Sequence, residues 1–226
     1  MRWLQISARH CGIAGPSVIA LGTLISLWGY HLGGGDAHPF YYWPVSGLGD
    51  HNVAPWYRVF NASVIAGALL MGLFQLGVGL RARHVAVWPG VLLGIVAAVG
   101  LAGIGVFTSA PETLNIHFVF AGFAFGGALL SGILFLLHLL LHAPVHFPRW
   151  LALPSAMSIL ATAGLITLLA IFVRGHHVQV LQLSFGGITI SGIILMEWLA
   201  FISLNAWIFL TAWAMQPHSA TGELVG

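Results

Sequence analysis

Lysine is absent from this chain, and charged side chains of every kind make up only 5% of its 226 residues. So little charge cannot solvate a large globular surface. The sequence pI near 9.1 rests on seven arginines, which are too scattered to form a nucleic-acid face. Cysteine is nearly missing as well. Cys11 stands alone, so no internal disulfide can staple the short connections, and the redox compartment cannot be read. There is no charged linker, low-complexity tail or internal repeat, and one domain is the simplest count.

What fills the chain is apolar sequence. Hydrophobic residues reach 59% and the mean hydropathy is +0.97. A bilayer core of about 30 Å needs roughly 20 apolar residues per helix. Six runs meet that length, near 12–30, 56–80, 87–107, 114–141, 151–173 and 187–214. Spanning backbone must satisfy its own hydrogen bonds, which helices do. The expectation is an all-α, polytopic six-helix bundle with a long first exoplasmic loop, residues 31–55. The first run is too long for the apolar segment of a cleaved signal peptide, and Gly33–Asp36 ahead of Ala37 is a poor cleavage site.

Arginine placement predicts the orientation. Arg2, Arg9, Arg81, Arg83 and Arg149 fall on one set of connections, and only Arg58 and Arg174 on the other. The positive-inside bias then puts both termini in the cytoplasm. Small residues repeat every fourth position at Gly90, Gly94 and Ala98, at Gly122 and Gly126, and at Gly187 with Ser191. Such stripes let helices approach closely in lipid, within one bundle or between copies of the chain.

Polar residues collect on the expected exoplasmic side: Asp36, His38, Asp50, His51, Arg58, Glu112, Asn115, His117, Arg174, His176 and His177. The first loop is long, and a loop above about 12–15 residues in a compact protein is usually functional or disordered. Its Phe40-Tyr41-Tyr42-Trp43 run favours order at the membrane interface. Asp50, His51, His117, His176 and His177 offer enough ligands for zinc, or for a base beside Ser46 as nucleophile. The spacing fits no metal motif, so a polar rim is the plainer reading, with no metal and no cofactor expected. His117 and His138 are ~30 Å apart along one helix and cannot grip a single haem. His138 and His142 share a helix face near its C-terminus, where the helix dipole favours them. The sequon at Asn61 begins inside the second span, out of reach of glycosylation.

Glu197 stands apart. The expected span places it near mid-bilayer, where an ionised carboxylate costs at least ~2.5–3.5 kcal/mol. It must be neutral, paired or exposed to a polar cavity. Candidate partners are Arg58, Asn61 and His117 on other spans and Asn205 on its own.

The segment Trp43-Pro44-Val45-Ser46-Gly47-Leu48-Gly49, followed by Pro55 and Phe60-Asn61, resembles a first-loop pattern found in one group of six-span proteins. That group comprises the damage-regulated autophagy modulators (DRAM), the FGF-receptor-activating or GPI-remodelling factors, and the yeast suppressor of phosphatidylinositol-kinase defects. Glu112, Ile116, His117, Phe120 and Phe123 are similar to the start of their fourth helix, and Glu197-Trp198 to a step in their sixth. Gly47 departs from the pattern, standing where many members carry an acid. The resemblance implies lipid homeostasis: GPI-lipid remodelling, autophagy modulation or control of lipid distribution. It brings no established catalytic residues.

Two functions follow as expectations. One is lipid binding through Pro44, Ser46, Arg58, Asn61, Glu112, His117, Arg174 and Glu197, with membrane lipids as partners and a membrane-protein partner or homo-oligomer possible. The alternative is an intramembrane acyltransferase or hydrolase using Ser46, Asp50, His51 or His117.

Overall fold

The computed structural model describes residues 2–33, 43–82, 85–142, 147–173, 182–185 and 188–215. Six helices are long and apolar enough to cross a membrane. They are α1 (Arg2–Leu32), α2 (Tyr57–Ala82), α3 (Trp88–Val106), α4 (Leu114–His142), α5 (Ala152–Val173) and α6 (Gly192–Ala214). The chain is a multi-pass integral membrane protein with an all-α spanning architecture. Leu24, Leu92 and Leu160 are each more than half exposed on its outer surface, as lipid-facing side chains should be.

Successive spans cross in opposite directions, and each packs against its neighbours in sequence. Contact between α1 and α6 closes the set into a ring. The seam between α1 and α2 depends on glycine. A Cβ on Gly15 would stand 2.9 Å from the Gly67 carbonyl oxygen, and one on Gly67 would stand 2.8 Å from that of Gly15. No larger residue fits without separating the helices.

The α3 stripe packs inside the bundle, as intramolecular contacts require. Gly90 faces α4, where Ser131 Oγ donates to its carbonyl at 2.8 Å, while Gly94 faces Gln75 of α2. The expected stripe on α4 does not pack: a Cβ at Gly122 or Gly126 would meet nothing within 4 Å. The reason is local. Residues Gly122–Gly126 form a π-helical turn between the α-helical stretches Leu114–Ala121 and Gly127–His142. The extra residue rotates the helix face, and Gly127 takes the close approach instead, 2.8 Å from the Leu93 carbonyl oxygen to its would-be Cβ.

The sixth span starts later than expected. Residues Gln182–Phe185 (β1) and Ile188–Ser191 (β2) pair antiparallel, with Phe185 opposite Ile188 and Gln182 opposite Ser191. Ile188-Thr189-Ile190 is apolar enough to read as helix, but its β-branched side chains favour the extended backbone. Gly187, placed in the span by hydropathy, lies outside the described residues.

The core divides by level. At the end where α1 begins and α6 finishes, Phe74, Leu139, Phe147, Leu151 and Met215 are almost fully buried, and Phe135 meets Trp207 edge-on with centroids 5.6 Å apart. At the other end a smaller cluster joins Val45 and Leu48 of the first loop to Phe60, Val64 and Trp198. That second cluster holds the loop in the bundle.

Candidate functional site

The described part of the first loop is ordered by its own sequence. Pro44 is extended, at φ −62° and ψ 157°, and leads into a 3-10 turn, Val45–Gly49. Gly47 N donates to Pro44 O at 3.0 Å, and Asp50 N to Gly47 O at 3.2 Å. Asp50 fixes the exit: its Oδ1 accepts from the Asn52 backbone at 2.8 Å and from Asn52 Nδ2 at 3.1 Å. This is the local side-chain bonding by which Asp favours turns over regular structure. Asp50 is a structural clasp on the loop.

Hydrogen bonds among the described residues then tie the loop to the bundle. Ser46 N donates to Glu197 Oε1 at 2.9 Å, and Trp198 Nε1 donates to Trp43 O at 3.1 Å. Asn61 Nδ2 of α2 donates to Gly49 O at 3.0 Å. Ser109, in the connection between α3 and α4, donates to Ser46 O at 3.2 Å. Gly49 is needed for close approach, since a Cβ there would collide with Asn61 Oδ1. The sequon asparagine is therefore occupied within the fold.

The partner of Glu197 corrects the sequence expectation. None of Arg58, Asn61, His117 or Asn205 is bonded to it; Ser46 is, through its backbone amide and its hydroxyl. Its depth is also different. Glu197 stands five residues after Gly192, only ~7.5 Å along α6 at about 1.5 Å per residue. The loop meets a carboxylate near the start of α6, not at the middle of that helix. Arg58 turns outward instead, its Nε 3.0 Å from the Tyr57 hydroxyl. Asn205 Nδ2 returns to the Phe201 carbonyl at 2.7 Å.

Beneath the loop lies a pocket. Ser46, His117 and Glu197 supply its polar lining, and Phe60, Val64, Leu101, Leu165 and Phe201 are among the apolar walls. His117 is buried, and its Nδ1 lies 2.9 Å from the Phe107 carbonyl oxygen. A carbonyl can only accept, so Nδ1 carries the proton. Phe107 stacks on Phe120 with centroids 5.3 Å apart, which steadies the carbonyl that orients the imidazole.

Other expected site residues sit elsewhere. His51 Nε2 and Glu112 Oε1 approach to 3.4 Å on the exposed rim, linking the first loop to the connection before α4. Asp50, His51, Arg58 and Glu112 do not line the pocket, whereas Ser46, His117 and Glu197 do. Arg174, His176 and His177 lie outside the described residues, as do Asp36 and His38. Among the described residues, no three His, Cys, Asp or Glu side chains gather as metal ligands would.

Sequence reasoning missed the backbone as a partner. An amide hydrogen leaves no mark on residue identity, so nothing in the chain announced Ser46 N as the group opposite Glu197. Trp198 gave a usable sign, because a buried indole requires an acceptor. No protein-family model, curated protein or solved structure matches this chain.

Proposed function

We propose that this protein binds a membrane lipid in the capped pocket and serves lipid homeostasis, with the polar end of the lipid at Ser46, His117 and Glu197. The observation that carries the reading is the capped pocket itself: apolar walls for a hydrocarbon body, and polar groups gathered at one end beneath an ordered loop. Ligand sites commonly combine a mostly apolar lining with a few placed polar groups. The likeness to the DRAM and GPI-remodelling group supports the same reading, because its motif residues meet here. Trp43, Ser46 and Gly49 are bonded to Trp198, Glu197 and Asn61.

In the membrane we place both termini on the cytoplasmic side, following the arginine bias. The capped pocket then opens toward the exoplasmic leaflet, where GPI-lipid remodelling or lipid redistribution would find its lipid. Whether the bound lipid is held or altered is decided by Ser46. Ser46→Ala keeps the backbone amide bonded to Glu197 and removes only the hydroxyl, so a binder retains its lipid with at most a weakened hold, whereas a serine hydrolase loses turnover.

Mass spectrometry of lipids retained after gentle extraction tests the proposal. Wild-type protein is expected to carry one lipid class enriched over the bulk membrane. Ala121→Phe places a ring into the pocket wall and should cut that enrichment at least tenfold. Retained lipids that mirror the bulk membrane in both proteins would overturn it.

A further inference from the structure

A second pocket lies deeper in the ring, between α2, α3, α4 and α6. Leu101, Phe125 and Phe201 line both it and the capped pocket, so the two share an apolar wall. Phe125 belongs to the π-helical turn, which is where α4 departs from regular helix. Functional positions frequently coincide with such turns.

The chemistry of this chamber differs from that of the pocket above. No ionisable side chain lines it; its polar groups are Gln75, Ser131, Asn205 and Trp207. Two of their atoms are buried without a hydrogen-bond partner among the described residues, Asn205 Oδ1 and Trp207 Nε1. Trp207 is only 4% exposed, deep in the bundle. A buried acceptor and a buried donor left unmet each carry a desolvation cost, and a hydrocarbon chain alone would leave both unmet. A charged ligand would find no counter-charge in the lining.

We propose that the central chamber is a second binding site, for a neutral amphiphile whose hydroxyl or amide groups meet Asn205 Oδ1 and Trp207 Nε1. Such a group both donates and accepts, and the alanine, leucine and phenylalanine walls accommodate the apolar body. The site stands apart from the headgroup reading above. Ala121→Phe tests the upper pocket, and Asn205 with Trp207 tests this one.

The experiment is thermal unfolding of the purified full chain in detergent with monoolein, which carries two hydroxyls, against 9-octadecene, a hydrocarbon of the same chain length with neither donor nor acceptor. Monoolein is expected to raise Tm by several degrees more than the hydrocarbon. Asn205→Leu and Trp207→Phe should each remove that difference, while the lipid-facing Leu160→Ala should preserve it. Trp207→Phe keeps an aromatic ring in place, so a folding defect in Asn205→Leu does not end the test. Equal shifts from the two compounds would overturn the proposal. So would a monoolein preference that survives in Trp207→Phe and in a folded Asn205→Leu, because the preference would then arise outside the central chamber.

Discussion

At the scale of single residues, Glu197 is one of the side chains that tie the first loop to the bundle. Its oxygen holds the loop amide of Ser46, and glutamine offers a carbonyl oxygen in the same place. Glu197→Gln should therefore change stability little. Glu197→Leu leaves the Ser46 amide without its acceptor, at ~1–3 kcal/mol. Thermal unfolding in detergent checks both; a leucine variant as stable as wild type would remove Glu197 from the account. Gly49 makes a companion case. Gly49→Ala drives a methyl into Asn61 Oδ1 and should detach this side of the loop, read as faster proteolysis between residues 43 and 55. Hydropathy and intramembrane depth singled out Glu197 in the sequence, but not its partner, because a backbone amide belongs to every residue except proline.

At the scale of elements, the helices were legible because lipid demands length and apolarity, and both are written directly in composition. Helix ends were less so. Ile188–Ser191 is as hydrophobic as a span but pairs as a strand, a choice governed by β-branching and by the partner strand Gln182–Phe185. The π-helical turn of α4 was not legible at all. Its glycines, Gly122 and Gly126, read as a packing stripe, yet the added residue turns them away from the other described residues. Deleting Gly122 should restore regular helix and rotate the two halves of α4 relative to each other by about 100°. Phe125 and Ser131 could not then both keep their places, since Ser131 is fixed to Gly90. The expected outcome is a protein that inserts but loses several degrees of thermal stability. The α1–α2 seam offers a sharper case: Gly67→Leu should separate those helices, because the opposing surface is the Gly15 backbone and cannot move aside as a side chain could.

At the scale of the whole molecule, six antiparallel spans form a closed ring whose one mouth is covered by a loop anchored to α2, α6 and the α3–α4 connection. On the orientation proposed above, tags at residues 1 and 226 should both be reached from the cytoplasm, and a tag at 33–35 only from the opposite side. Termini on opposite sides would require an odd number of spans. The central claim is that the loop is a fixed cover over the capped pocket, held there by Glu197, and hydrogen exchange across residues 43–50 tests it most directly. The Ser46 amide should exchange slowly in the wild type and at least tenfold faster in Glu197→Leu, with the amides of α2 and α6 unchanged. Exchange of Ser46 at the rate of an open loop in the wild type would contradict the account.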